Sequence, residues 1–440
     1  MMAPPGSMQD WLLRRCDAWR PWLPARVLYH ADYFQARAWL EEGETMCAAR
    51  ARMRLRAMLV HALTHVPHYR RTVRIDADQA RRAPLDEVLH AFPYLTKDEV
   101  MADRRAFLDE RLDPARLSYA TGGGASGQGI GMWRNKRLAD VDKAFFAHAW
   151  RRFGFSFDKS RILRIGADAG RPAHGPATRV LGNRLMLSPC HIGARHQAAI
   201  LDAVLRFQPR YVHAYPSAAT ALAELVGEAA SALRVRAVLL ASEPATPDQL
   251  AAIRQVFDCP VSLNYGLSER TNLAFAGHDE RGTSAYAFEA LYGVSENRVD
   301  GERCEIVGTS LWNDVMPLIR YRTGDYGRID ARGHCAAIDG RDLEFLIDRG
   351  GRAVSGLSIV IDEAAWDIVR LYQVRQRRPG AITLAVVGRH GRLTPEQRAD
   401  LLAAQRRRWG SLFDIALQEE SDIPLAPNGK RRLVVSLACG

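Results

Sequence analysis

Between Arg195 and Tyr265 the chain alternates helical and extended periods with little slack between them, and no other feature restricts its fold as strongly. Arg195 to Phe207 carries apolar residues at Ile200, Leu201, Val204 and Leu205, a helical spacing, and Tyr211 to Tyr215 follows as a short strand. Ala218 to Ala230 reads as a second helix and Val235 to Ala241 as an apolar strand. Thr246-Pro247-Asp248-Gln249 has the form of a capping box with proline at the first helical position, so a helix runs from there to Phe257, and Pro260 to Tyr265 is the next strand. Strands joined through helices must lie parallel and be covered on both faces, which makes this an α/β fold with a doubly wound sheet. Ligands of such sheets gather at the carboxyl ends of the strands, and Tyr265-Gly266-Leu267-Ser268-Glu269 falls at one of these ends.

The 440 residues exceed the ~250–300 at which a single core stops growing, so more than one domain is expected. After Gly282 the pattern changes to strands without helices, at Glu305–Leu311, Leu318–Tyr321 and Gly327–Ile329, which predicts a β-rich subdomain. Gly340-Arg341 ends that portion. The remaining ~100 residues, an ordinary size for a small α+β domain, alternate again. Strands are expected at Phe345–Ile347, Ile382–Val387 and Leu433–Leu437, with a helix over Pro395–Trp409. The expected division is therefore 1–341 and 342–440. Near the start, Gln9 to Val66 is helical in character, and Thr96 is a candidate helix cap.

No apolar run approaches the ~18 residues of a membrane span, and Trp11-Leu12-Leu13 is followed at once by Arg14-Arg15, so neither a membrane partner nor a secretory segment is expected. The seven cysteines include no C-x-x-C pair, which fits reduced thiols in a cytoplasmic protein, and Cys304, His334 and Cys335 lack zinc-ligand spacing. A net charge of +11 would suit anionic partners, but the arginines are spread along the chain with no basic stripe of interleaved aromatics, so nucleic acid is not the expected ligand. Two exceptions, Arg375-Gln376-Arg377-Arg378 and Arg406-Arg407-Arg408, read as helix caps or solvated faces.

Four short segments carry chemistry in a fixed order. The first, Thr121 with Gly122-Gly123-Gly124-Ala125-Ser126-Gly127, can wrap backbone N–H groups round a polyphosphate. It also satisfies a dinucleotide fingerprint, but Ile130 to Trp133 looks extended and the helical period begins only near Lys136, where that fingerprint would open a helix directly. Gln128 excludes a Walker loop, and Ser126 lacks the second glycine of a nucleophile elbow. The second, Tyr265 to Glu269, sets an aromatic ring, a permissive glycine, the Ser268 hydroxyl and a carboxylate just after a strand; a plain strand-to-helix turn capped by Ser268 is the alternative. The third, Tyr321-Arg322-Thr323-Gly324-Asp325, offers a carboxylate able to accept both ribose hydroxyls, or else a turn aspartate paired with Arg320 or Arg322. The fourth, Asn428-Gly429-Lys430, presents an ammonium that can neutralise charge on a phosphoryl group.

In this order the segments resemble the adenylate-forming superfamily, and within it the phenylacetate-CoA ligase-like and CapK-like proteins, from about Val66 to the C-terminus. Thr121 to Gly127 is similar to that family's phosphate loop, and Ser242-Glu243-Pro244 to its adenine-contacting segment. Tyr265 to Glu269 and Tyr321 to Asp325 are similar to its aromatic and ribose-binding motifs, Gly340-Arg341 to the residues before its hinge, and Gly429-Lys430 to its catalytic loop. The resemblance implies that ATP and a carboxylic acid, with an aromatic one expected, give an acyl-adenylate and pyrophosphate. Lys430 would reach the α-phosphate, Glu269 would hold Mg²⁺, and Asp325 with Arg341 would fix the ribose. CoA or the phosphopantetheine arm of an acyl carrier protein would take the acyl group after rotation of the small domain, with a homodimer as one possible assembly. Tyr215, Pro216 and Ala241 are the expected acid-pocket residues. Leu343, flanked by Asp342 and Glu344, departs from the family pattern beyond the hinge arginine, as does Arg349 to Val354, so adenylation is better supported than thiol transfer. Transfer of AMP to an acceptor, a catalytically silent relative and a basic nucleic-acid-binding protein are the competing readings.

Overall fold

The protein is described by a computed structural model covering residues 22–122, 130–166, 176–188, 191–192, 196–242, 245–301, 303–338, 345–355, 359, 361, 363–423 and 434–435. A short helix at Ala25–Leu28 and longer ones at Ala31–Leu40 and Glu44–His65 open the described chain, in keeping with the helical character of that segment. Thr96, expected as a helix cap, accepts from the Glu99 backbone N–H while the Glu99 side chain accepts from the Thr96 N–H, which completes a capping box.

The strands are β1 (Ser118–Gly122), β2 (Ile130–Arg134), β3 (Ile162–Ile165), β4 (Thr178–Leu181), β5 (Arg184–Leu187), β6 (Tyr211–Ala214), β7 (Ala237–Ala241), β8 (Val261–Gly266), β9 (Leu273–Asp279), β10 (Gly282–Thr283) and β11 (Tyr286–Phe288). They continue with β12 (Gly293–Asp300), β13 (Arg303–Ser310), β14 (Tyr321–Tyr326), β15 (His334–Cys335), β16 (Phe345–Ile347), β17 (Ala353–Ser355), β18 (Val369–Arg378), β19 (Ala381–Gly388), β20 (Asp414–Glu419) and β21 (Val434–Val435).

The largest sheet has the order β15-β11-β9-β8-β7-β6-β3-β5-β4, with β10 pairing β9 at the side. Its centre, β5-β3-β6-β7-β8, is parallel, and antiparallel strands extend it at both ends. Helices at Gln197–Phe207, Pro216–Val226 and Pro247–Phe257 make the crossovers that the alternation predicts. A buried apolar cluster containing Val212, Val238, Leu240, Val261 and Leu263 fills one face. The other is covered by the helix Lys136–Trp150, whose Trp150 packs with Phe155, Ile162, Tyr211, Ala237 and Leu239. That helix starts at Lys136 after an extended β2, where the sequence places it.

The second sheet, β12-β13-β14, is antiparallel throughout, and a third, β20-β19-β18-β21, occupies the C-terminal part with the helix Pro395–Trp409. The β16–β17 hairpin is fixed to it by the Gln376 side chain, whose amide makes two bonds to the Ile347 backbone, at 2.6 and 2.7 Å. A single core cluster runs from the N-terminal helices through Tyr321 to Tyr372 and Val374 of β18.

Three expectations are corrected. The strand expected at Leu318–Tyr321 begins only at Tyr321, because Arg320 adopts φ +50° and cannot continue an extended run. Its guanidinium is held instead by the Phe92 carbonyl at 3.1 Å and lies over the Tyr94 ring. Gly327–Ile329 forms only an isolated bridge, from Ile329 to Cys335. The helix expected to reach Ala230 ends at Val226 and continues as a 3₁₀ segment from Gly227, which has φ +44°. Among the described residues no helix is long and apolar enough to cross a membrane.

Candidate functional site

β8 ends at Gly266, at the carboxyl edge of the parallel block, and the chain then turns back into the antiparallel β9. No helix follows, so Ser268 is not a helix cap: it lies exposed in a strand-to-strand turn, and its carbonyl accepts from the Arg134 guanidinium. Glu269, one residue on, is 4% exposed.

The partner of this turn is β14. Between β13 and β14 the register jumps from Glu305↔Tyr326 to Val307↔Arg322, so Thr323, Gly324 and Asp325 bulge out of the ladder. A bulge re-aims a side chain that regular pairing would point elsewhere. Three bonds fix this one. Thr323 donates its hydroxyl to the Ile306 carbonyl at 2.6 Å, the Asp325 N–H donates to the same hydroxyl at 3.0 Å, and the Gly324 N–H donates to Glu305 at 3.2 Å. Gly324 sits at φ +74°, a conformation costly for any residue with a Cβ.

The two segments are joined reciprocally. Tyr265 donates its hydroxyl to Asp325 Oδ2 at 3.0 Å, and Tyr321 donates its own to Glu269 Oε1 at 2.7 Å. Each tyrosine thus orients the other segment's carboxylate. Arg320 and Arg322, the alternative partners of Asp325, are engaged by Glu296 and Glu305. An ionised carboxylate accepts on two oxygens and several lone pairs, which suits a ribose diol at Asp325 and a hard cation at Glu269.

Thr121 and Gly122 end β1 of the hairpin, opposite Gly131 and Ile130, with the glycine loop between the two strands. The base of this hairpin reaches the site through Arg134. Burial, reinforced by the neighbouring Arg270, pulls the Arg134 guanidinium down to about 10, and its Nε has no partner among the described residues. Arg270 itself pairs with Asp142, which also accepts from Tyr292 at 2.8 Å.

Behind the turn the β12–β13–β14 sheet packs without clearance. A Cβ on Gly308 would lie 1.9 Å from Asn272 Oδ1, and the Asn272 amide bonds Ser295 at 2.7 Å.

The acid-pocket candidates do not share one face. Tyr215 packs with the cluster under the crossover helices, and Pro216 opens the helix beside it. Ala241 lies two residues beyond Leu239, hence on the Trp150 side, directly opposite Asn264 of β8. Asn264 in turn lies two residues beyond Ser262, which accepts from Trp150 Nε1 at 3.2 Å. One level down, His213 stands edge-on to Trp150 with Arg164 as its cross-strand neighbour. Burial first, and Arg164 second, hold the His213 imidazole well below its usual range. Asn264 Oδ1 is buried with no partner among the described residues. Ser242, exposed at φ +72°, follows Ala241. Gly123, Gly124, Ser126, Gly127, Glu243, Pro244, Arg341 and Lys430 lie outside the described residues.

Sequence reasoning missed Arg134, Asn264 and His213. Nothing local marks Arg134, whereas the position of Asn264 beside Tyr265 at a strand end was a usable signal.

The chain matches no protein-family model, and no curated protein matches it in sequence. Among solved structures it is similar to a 2-hydroxyisobutyryl-CoA ligase in complex with 2-HIB-AMP and CoA in the thioesterification state, at 15% identity and a TM-score of 0.53, covering 90% of each chain. An open conformation of the same ligase gives 17% identity and a TM-score of 0.46, covering 89% of this chain and 91% of that one. The amide bond synthetase McbA from Marinactinospora thermotolerans gives 20% and 0.35, covering 72% and 68%. The likeness to the first establishes the fold: the mixed α/β architecture described above is shared along nearly the whole of both chains.

Proposed function

We propose that this protein activates a carboxylic acid with ATP, forming an acyl-adenylate and releasing pyrophosphate. The observation that carries the reading is the reciprocal arrangement of Tyr265 with Asp325 and of Tyr321 with Glu269 at the carboxyl edge of a parallel sheet. It fixes two carboxylates of different duty in one place. Asp325 accepts the ribose hydroxyls of the nucleotide. Glu269, buried and with one oxygen already bonded, suits Mg²⁺, which takes one or two protein carboxylates and completes its shell with phosphates and water. That ion would supply charge neutralisation on the phosphate chain.

In the reaction a carboxylate oxygen of the acid bonds to the α-phosphorus, the bond to the bridging oxygen breaks, and pyrophosphate departs with its electron pair. Thr121, Gly122 and the rest of the glycine loop would hold the leaving phosphates by backbone N–H groups, with Arg134 adding a buried cation at the base of the hairpin. Lys430 would approach the α-phosphate and Arg341 the ribose, with residues 342–440 turning about that arginine between half-reactions. Ser242, Glu243 and Pro244 would contact adenine.

The acceptor proposed is a thiol, either of CoA or of a carrier-protein phosphopantetheine; the structurally similar ligase holds an acyl-AMP and CoA together. For the acid, the Trp150 side of Ala241 and Asn264 is favoured over the Tyr215 side. Ala241 brings only a methyl group to that side, and Asn264 Oδ1, without a partner among the described residues, would accept a donor on the acid. An aromatic acid carrying a hydroxyl or amino group is therefore the proposed substrate class. Acid-dependent exchange of labelled pyrophosphate into ATP, measured over a panel of substituted benzoic, phenylacetic and short hydroxy acids, tests the proposal. The absence of exchange with every acid would reject it.

A further inference from the structure

Five arginines from three separate elements surround one concavity of about 1240 Å³ in the C-terminal part. Arg349 comes from the turn between β16 and β17, Arg377 and Arg378 from the end of β18, and Arg406 and Arg407 from the last turn of the helix Pro395–Trp409. The floor, where β19 and β20 run parallel, is made of the short side chains of Ala381, Thr383 and Ala416, which alternate with the buried core residues Ile382 and Ile415.

The charges are not matched. Asp414 is the one acid among the described lining residues, and it pairs with Arg349, which also donates to the Gly410 carbonyl at 2.9 Å. Arg406 donates to the Ile415 carbonyl at 3.2 Å. Arg377, Arg378 and Arg407 make no ion pair among the described residues. The helix dipole accounts for basic residues in the last helical turn, which covers Arg406 and Arg407. It gives no reason for two further arginines to arrive from a strand. Five guanidinium groups against one carboxylate repel one another across a cleft, and an anion in that cleft relieves the repulsion.

We infer that this basin binds a phosphorylated organic molecule of nucleotide size. The guanidinium forks of Arg377, Arg378 and Arg407 match phosphoryl oxygens in geometry as well as charge. The volume lies above the ~300–1,000 Å³ usual for small-molecule pockets, so an inorganic ion would leave most of it to water, and the methyl groups of Ala381 and Ala416 on the floor give an organic moiety its contact. A single nucleic-acid strand is disfavoured because the one aromatic among the described lining residues, Phe413, is fully buried and offers no stacking face. None of the lining residues belongs to the Tyr265–Asp325 constellation, so this is a second site.

Calorimetric titration of the full chain with ADP, and separately with inorganic pyrophosphate, tests it on the wild type, on R377Q/R378Q/R407Q and on D325A. The three arginines are exposed, and circular dichroism checks that the triple variant is folded. The expected result is that the triple variant loses one class of ADP sites, or binds there at least ten-fold more weakly, while D325A loses the other class and keeps the basin. Wild-type stoichiometry and affinity in the triple variant would overturn the inference. So would pyrophosphate binding in the basin as tightly as ADP. An unchanged D325A would count against the proposed catalytic site and leave the basin standing.

Discussion

The phenol of Tyr321 lies 2.7 Å from Oε1 of Glu269, a carboxylate sealed from solvent at the turn after β8. This bond couples folding to function. A buried carboxylate that loses a donor retains its desolvation cost, on the order of 1–3 kcal/mol. Tyr321→Phe is therefore expected to destabilise the fold by about 2 kcal/mol, and to lower ATP–pyrophosphate exchange by releasing Glu269. Urea denaturation and the exchange assay measure the two effects, and a variant with wild-type values in both would separate Tyr321 from the site.

Asp325→Ala removes both ribose acceptors and is expected to abolish nucleotide binding at this site, with little change in stability. Tyr265→Phe removes only the bond that aims Asp325, at 3.0 Å. A hydrogen bond to a charged group contributes about 1.5–3 kcal/mol, so roughly ten-fold weaker ADP binding is expected, a graded effect that calorimetry resolves from the complete loss in Asp325→Ala.

Two glycines sustain the geometry for different reasons. Gly324→Ala meets no neighbour within 4 Å, so its cost is conformational alone, about 1–2 kcal/mol for a left-handed residue. Gly308→Ala places a methyl 1.9 Å from Asn272 Oδ1 and must move the strand or break the Asn272–Ser295 bond. Thermal unfolding should rank Gly308→Ala as the more damaging, by a margin that Asn272→Ala in the same chain reduces.

Glu289 gives a pH dependence. Burial raises its carboxyl from 4.5 to about 7 in the folded protein. Between those values the native state holds a proton that the unfolded chain has released, so stability falls as pH rises through that window, by up to roughly 3 kcal/mol. Below 4.5 both states are protonated and the group contributes nothing. Glu289→Gln should match the wild type at pH 4.5 and exceed it at pH 8, as followed by urea midpoints; a constant difference would remove Glu289 as the cause.

An acid panel checks the Trp150 side of Asn264. With a ring acid bearing a hydroxyl or amino group, Asn264→Leu is expected to lower kcat/KM about ten-fold or more, while the unsubstituted acid loses little. Equal losses for both acids would place the substituent elsewhere.

Much of the fold was legible because its signals are local. The capping box at Thr246, the helix Pro395–Trp409 and the parallel alternation through β8 all follow from neighbouring residues. Strand β18 was not legible. Its polar Gln373 and Gln376 are 5% and 3% exposed, Gln373 accepting from Arg375 and Gln376 bonded to the distant Ile347 backbone, so no period of two appears. The break at Arg320 depends on Phe92 and Tyr94, far off in the chain. At the site the four segments were readable as candidates, but the bonds joining two of them span 52 and 60 residues. No local spacing encodes which tyrosine serves which carboxylate. The arginine runs, read as caps or solvated faces, do hold exposed residues, with 406–408 in the last helical turn; that Arg377, Arg378, Arg406 and Arg407 also line one cleft depends on β18 and the last helix meeting at one end of a sheet.

The exchange of tyrosine hydroxyls between 265–269 and 321–325 also has a dynamic consequence. Neither stretch can swing open alone without stranding the other's acid group, so thermal openings there should be concerted. Their amide protons would then trade with solvent deuterium at one shared free energy, as a clasp whose halves release together.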